Sequence, residues 1–246
     1  MILRTQIIQK LIHINEAIFF YPKLKIFYKE NLKNAEINVL DVGANKGQSI
    51  DFFLGINANT VINAFEPNKK LFIFLQNKYK TNTKQMQNIK LHNVGVSKID
   101  GELEFNENIL DETSTFEALN FNSKYLEKKA KVLGVSKEGL IVDKYKVKVI
   151  RLHDFIETNP NIFYDVLKID VEGHELQVLE GLFSEKHMNI PIRLIQLERH
   201  NDDMYISNSK HKDIKNLLNK NGFFEIAKIK HGFGDFAEII YENKNL

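Results

Sequence analysis

Apolar positions along the chain follow two alternating rhythms. Short, nearly continuous apolar runs at 37–42, 61–65, 89–96, 164–170 and 192–198 read as strands buried on both faces, whereas stretches at 47–56, 68–79, 172–184 and 210–220 carry helical spacing. Their alternation predicts a parallel sheet covered by helices on both sides. After Gly222 the order changes, and two strand-like runs at 223–230 and 236–242 are joined by His231-Gly232-Phe233-Gly234-Asp235. That pattern predicts a hairpin that adds an antiparallel strand at the sheet edge.

Two segments depart from this rhythm. Residues 97–163 hold short strand patterns at 102–105 and 145–151 and a lysine-rich helix near 123–132, more than one connection requires. Such insertions form lids or acceptor pockets in α/β enzymes, so substrate choice is expected there. Residues 1–36 read as an N-terminal helical segment ahead of a main domain over 37–246. Ile7, Ile8, Leu11, Ile12, Ala17, Ile18, Phe19 and Phe20 make its first part apolar, but His13, Asn15 and Glu16 interrupt the run. With that interruption, neither a signal sequence nor a membrane span is expected. An amphipathic helix packed on the domain is expected, with a lid or a membrane-docking face as the sharper alternative.

Composition narrows the partners. The 246 residues carry 34 Lys and Arg against 32 Asp and Glu, a formal net charge of +2, which is too balanced for nucleic acid as the main partner. No cysteine is present, so the fold needs no oxidising compartment, and a cytoplasmic location fits. Oligomeric state stays open.

Candidate chemistry begins where the first strand ends. In VLDVGANKGQ, residues 39–48, Asp41 closes the strand and Gly43 and Gly47 bracket a tight turn that lets a ligand approach bare backbone. The next strand ends in Glu66, and an acid there can accept hydrogen bonds from both hydroxyls of a ribose. Positions 43–47 read G-A-N-K-G, with two glycines rather than the three of a dinucleotide fingerprint. D-x-G-x-N-x-G suits the cationic amino-acid tail of S-adenosylmethionine better than a pyrophosphate.

A second cluster follows the fourth core strand in KIDVEGHE, residues 168–175. Lys168 and Asp170 share one strand face, and a lysine inside a central strand needs a carboxylate partner, Asp170 or Glu198. Ligands of such sheets bind beyond the carboxyl ends of the strands, so Asp170, Glu172 and His174 are expected to face the reacting atoms. His174 reads either as a general base or as a brace for the turn after Gly173, and the base is the expectation carried forward, with Asp170 and Glu172 orienting acceptor and imidazole. Glu175 and Glu180 read as part of a solvated helix face. IQLERH brings Glu198 and His200 beside Asp170, where the three could hold a divalent cation such as magnesium or manganese, or Glu198 could simply offset Lys168. Thr113, Ser114 and Thr115 could line a pocket or form a plain polar turn. Asp154 is first a helix-capping candidate.

Taken in order, VLDVGANKGQS, AFEPNKK, HNVGVS, VLKIDVEGHELQVLEG and IQLERH resemble the FkbM family of S-adenosylmethionine-dependent methyltransferases, over roughly residues 37–200. The resemblance implies a Rossmann-like class I methyltransferase fold, with a seven-stranded, mostly parallel sheet and an antiparallel C-terminal edge hairpin. It also implies transfer of methyl to oxygen, on a sugar hydroxyl of a glycan or glycosylated small molecule. Carried over by motif, Asp41, Gly43, Asn45 and Gly47 would hold the methionine part, Glu66 the ribose, and Asn93 and Gly95 would lie near the adenine. One departure is Leu152-His153-Asp154-Phe155, where the family often has Leu-Asp-Asp-Phe. A cofactor-binding scaffold without turnover and a nucleotide-dependent oxidoreductase are the competing readings.

Overall fold

A computed structural model describes residues 15–80, 88–184, 190–199, 203–206, 211–231 and 236–246. Its main sheet has seven strands: β1 (Ile37–Val42), β2 (Thr60–Phe65), β3 (Ile89–His92), β7 (Tyr164–Ile169), β8 (Ile192–Arg199), β9 (Phe223–Lys230) and β10 (Ala237–Asn243). They lie in the order β3-β2-β1-β7-β8-β10-β9. The five strands from β3 to β8 pair in parallel, and β10 enters antiparallel between β8 and β9. The C-terminal hairpin therefore sits at the expected edge, with its second strand on the inside. The tip of the hairpin, 232–235, and most of the apolar N-terminal run, 1–14, lie outside the described residues.

Helices cover both faces. On one side lie α1 (Tyr21–Asn31), α2 (Gln48–Ile56) and α3 (Lys69–Tyr79), and on the other α5 (Leu152–Glu157), α6 (Glu175–Leu182) and α7 (His211–Lys220). Strand alternation decides what each side receives. Leu40 and Val42 of β1 join Leu167 and Ile169 of β7 in the core under α5 to α7. Val39 and Val166 point the other way, into the core shared by Leu24, Tyr28, Ile50, Phe53 and Leu75. Burying each such side chain contributes about 1.5–3 kcal/mol. Asp41 and Lys168 have the parity of Val39 and Val166, so they emerge on the α1 to α3 side, level with each other in the register of β1 and β7.

The insertion forms its own small unit. β4 (Gly95–Val96), β5 (Gly101–Asn108) and β6 (Ile141–Ile150) make a three-stranded sheet, and α4 (Lys124–Leu133) packs Leu126, Ala130 and Leu133 against Met204 and Tyr205. The single run expected at 89–96 is divided by Asn93 and Val94: its first half stays in the main sheet and its second starts the small one. Periodicity could not show this break, because a strand that changes sheets keeps its apolar character.

Candidate active site

The turn at 43–47 is held by close backbone contacts. Gly43 has φ +88, and a Cβ there would stand 1.9 Å from the Asp170 carbonyl oxygen, so this position packs directly on the end of β7. Asn45 is itself left-handed, with φ 45, and its N–H donates to Glu66 Oε2 at 2.7 Å. Asn68 caps α3 through its side chain, and its own N–H donates to Glu66 Oε1 at 2.8 Å. Glu66 is thus fixed by two backbone donors while each oxygen keeps a lone pair. Burial pushes its carboxyl up to about 7, against the pull of those two N–H groups.

Glu66, Asn45 and Gly43 line one end of a cavity of about 350 Å³. Pro67, Leu71, Phe105 and Leu110 add an apolar wall there. Asp41 and Gly47 stand behind the wall among the described residues. Asp41 is fully buried with Lys168 and Ser49 beside it, and burial raises its carboxyl in spite of both. Asn93 donates through its amide to the carbonyls of Glu66 and Pro67, at 2.9 and 3.2 Å, and braces that loop from outside the cavity. Gly95 makes room for Phe116, whose ring would meet a Cβ at 2.4 Å, and Phe116 in turn lines the cavity.

The middle of the cavity is the KIDVEGHE segment. Lys168 Nζ lies 3.0 Å from Asp170 Oδ2 and 3.9 Å from Asp41 Oδ1. Burial opposes its charge, but Asp170, Asp41 and Glu238 together hold the ammonium above its ordinary range. Glu172 adopts φ 53, which turns the chain so that its carboxylate accepts from Tyr205 Oη at 2.7 Å while its carbonyl accepts from Thr115 Oγ1 at 2.8 Å. The insertion closes over this point, with Thr113, Ser114 and Thr115 on the cavity wall. Lys46, 2.8 Å from Asp111 Oδ2, ties the insertion to the first turn.

His174 is placed differently from the base expected in the sequence. It is 4% exposed and lies outside the cavity lining, with Nδ1 2.6 Å from Glu117 Oε1 and Nε2 2.9 Å from Ser97 Oγ. Both ring nitrogens have partners in the insertion, side chains where the brace reading expected a backbone carbonyl. Glu175 also differs from its expectation: it is buried and accepts from the Gly173 N–H at 3.1 Å rather than facing solvent. Asp154 does not cap α5, whose N-cap is Arg151. It pairs with that arginine at 2.9 Å, away from the cavity.

At the far end of the cavity the sheet presents Gln196, Glu198 and Glu238, with His231 beside them. Asp170, Glu172 and Glu198 converge, their oxygens within 4.8 Å of one another. Of the expected cation ligands, Asp170 and Glu198 therefore meet, Glu172 joins them, and His200 lies outside the described residues. Glu238 is buried, and burial together with Glu198 raises its carboxyl to about 7. His231 is held above its usual range by Glu16, Glu198 and Glu238, although burial works against its charge. Neither Glu238 nor His231 was singled out as functional from sequence. Glu238 could have been, because a single carboxylate inside the apolar run FAEIIY carries the same warning as Lys168. His231 looked like part of a turn.

Helix α1 closes the last wall. Tyr28 donates to Gln196 Oε1 at 2.5 Å, and Phe20, Tyr21 and Leu24 reach the cavity. The described part of the segment ahead of β1, from residue 15 on, thus packs on the domain and contributes to the pocket.

A seven-stranded sheet with β10 inserted antiparallel, and a cavity at the carboxyl ends of its parallel strands, is the class I methyltransferase fold. The FkbM methyltransferase domain matches residues 41–224, and the chain belongs to that family. Among solved structures, an FkbM methyltransferase from Methylobacillus flagellatus KT shares 16% identity and a TM-score of 0.54. That alignment takes in 88% of this chain and 46% of the other, so the present chain spans less than half the length of that protein. The methyltransferase domain of METTL16 aligns at 11% identity and a TM-score of 0.51, over 90% of this chain and 66% of that one. At these identities the likeness is one of fold. No curated protein sequence matches the chain.

Proposed function

We propose that the protein is an S-adenosylmethionine-dependent O-methyltransferase acting on a sugar hydroxyl of a glycan or glycosylated small molecule. The carrying observation is one continuous cavity whose two ends differ in chemistry. At the first end Gly43 offers backbone with no Cβ, Glu66 offers two free lone pairs to a ribose, and Pro67, Leu71, Phe105 and Leu110 offer an apolar slot for a base. The group fits these residues. Asp41 then supports the site from behind, through its charge and Lys168, and Asn93 and Gly95 act by holding the Glu66 loop and Phe116.

When bound, S-adenosylmethionine supplies a methyl on a sulfonium and leaves as the neutral thioether S-adenosylhomocysteine. The acceptor takes the far end, where the rings of Phe20, Tyr21 and Phe236 can stack on the C–H faces of a sugar while Asp170, Glu172 and Gln196 hold its hydroxyls. Asp170, oriented by Lys168, accepts the hydrogen bond of the attacking hydroxyl. His174 positions the turn and the insertion and takes no proton. Residues 97–163 form the acceptor wall, and the stretch from Asn15 to Leu24 covers the pocket. The carboxylates at this end repel a phosphate backbone, which supports a glycan over a nucleic acid as acceptor. Among the described residues no helix is long and apolar enough to cross a membrane.

The test is transfer of a labelled methyl group to a panel of glycosides and oligosaccharides, with RNA transcripts alongside. An O-methylated sugar, formed together with S-adenosylhomocysteine, is the expected result. Label appearing in RNA and in none of the sugars would overturn the acceptor assignment.

A further inference from the structure

The far end of the cavity holds a feature that recognition of a neutral sugar does not require. Glu198 and Glu238 stand directly opposite each other in the antiparallel register of β8 and β10. Like charges facing across a strand pair are destabilising. Glu238 is 4% exposed, and its Oε2 has no hydrogen-bond partner among the described residues. His231 Nε2 is likewise without one. It lies 3.7 Å from Glu198 Oε1 and 3.9 Å from Glu238 Oε1, too far for hydrogen bonds.

We propose that Glu198, His231 and Glu238 form a binding site for a divalent transition-metal ion of the manganese or zinc class. Metal–ligand bonds of about 2.0–2.2 Å at tetrahedral or octahedral angles put neighbouring ligand atoms roughly 3–3.5 Å apart. The three donor atoms, all within 4.8 Å of one another, need only a small inward shift to meet one ion. An outer-shell partner stands nearby. Glu16 Oε1 lies 3.7 Å from His231 Nδ1, so a shift of the same size as the ligands need would let that carboxylate accept from Nδ1–H and orient the imidazole. The ring is stacked on Phe20 at 4.1 Å between centroids, so its plane is set. One imidazole with two carboxylates suits a borderline ion better than magnesium, which favours oxygen ligands and retains its waters. All three ligands line the cavity, leaving the remaining coordination positions to water or acceptor.

The ion's use in catalysis rests on the proposed methyl transfer. A coordinated acceptor hydroxyl would lose its proton more readily to the Asp170 carboxylate that accepts its hydrogen bond, and its oxygen would attack the methyl carbon. The C–O bond forms as the C–S bond breaks, and its electron pair stays on sulfur. Binding of the ion itself does not depend on that reading.

The experiment uses the full chain after chelator treatment, with no cofactor or acceptor added. Calorimetric titration with zinc and paramagnetic resonance with manganese should both show one site per chain, and magnesium should bind far more weakly. Glu238→Gln and His231→Gln should each lower affinity by about 100-fold or more, and Glu16→Gln by about 10-fold to 100-fold. Electron spin echo spectra of bound manganese should show coupling to an imidazole nitrogen that disappears in His231→Gln, a readout taken on folded, ion-loaded protein. Absence of zinc and manganese binding in the wild-type chain would overturn the proposal. So would a bound ion with no nitrogen coupling, which would place it on Asp170, Glu172 and Glu198. Binding of S-adenosylhomocysteine in the same preparation separates either failure from failure of the methyltransferase reading.

Discussion

Lys168 Nζ stands 3.0 Å from Asp170 Oδ2, two residues along the same strand, and 3.9 Å from Asp41 on the neighbouring one. A single ammonium thus serves the carboxylate on the cavity wall and the one buried behind it. Lys168→Met should leave Asp41 as an uncompensated buried charge and cost about 3–5 kcal/mol of stability. Adding Asp41→Asn should restore part of that loss, because the second change removes the stranded charge. Urea denaturation of the single and double variants measures both, and additive losses would show that the two residues are not coupled.

Gly43→Ala places a Cβ 1.9 Å from the Asp170 carbonyl oxygen at a backbone angle of φ +88. Strain of this kind costs on the order of 1–3 kcal/mol before any displacement of β7 is counted. The expected outcome is a lower melting temperature together with loss of S-adenosylhomocysteine binding, read by calorimetric titration. Gly55→Ala, inside α2 with nothing within 4 Å of its Cβ, should leave binding unchanged and raise the melting temperature slightly.

His174 separates a structural role from a catalytic one. His174→Ala leaves the buried Glu117 and Ser97 without their shared partner and should cost about 1–3 kcal/mol of stability. Cofactor affinity at temperatures below the transition should be retained, since no cavity contact is lost. A drop in turnover of about 100-fold to 10,000-fold in a variant as stable as the wild type would instead assign His174 as the base.

The strands and helices of the main sheet were legible because periodicity reports burial, and the ends of β1, β2 and β7 carried acids or a lysine that burial alone would not tolerate. What periodicity could not report was depth. Asp41 and Glu66 both end strands, yet only Glu66 reaches the cavity wall, because the turn at Gly43 folds over Asp41. His174 looked reactive for a related reason: its neighbours Glu117 and Ser97 come from the insertion, 57 and 77 residues away. Glu238 stood out as a lone carboxylate in the run FAEIIY, but its meeting with Glu198 and His231 depends on the register of β8 against β10, which apolar runs do not encode.

Glu66 makes cofactor affinity depend on pH. Its folded carboxyl is raised to about 7, and accepting two ribose hydroxyls favours the ionised form, so binding must displace a proton when the pH is below that value. Affinity for S-adenosylhomocysteine should therefore fall as pH drops from 8 toward 6, by up to about tenfold per unit. Glu66→Gln should bind more weakly at pH 8 and lose most of this slope.

The most direct test of the account is calorimetric titration of the purified chain with S-adenosylhomocysteine, which needs no acceptor. The account predicts saturable binding at one site, weakened in Glu66→Ala by about 1.5–3 kcal/mol as the charged hydrogen bonds to ribose disappear. NADH should give no comparable heat. Binding of NADH without any response to S-adenosylhomocysteine, or equal affinity in Glu66→Ala, would contradict the assignment of this end of the cavity.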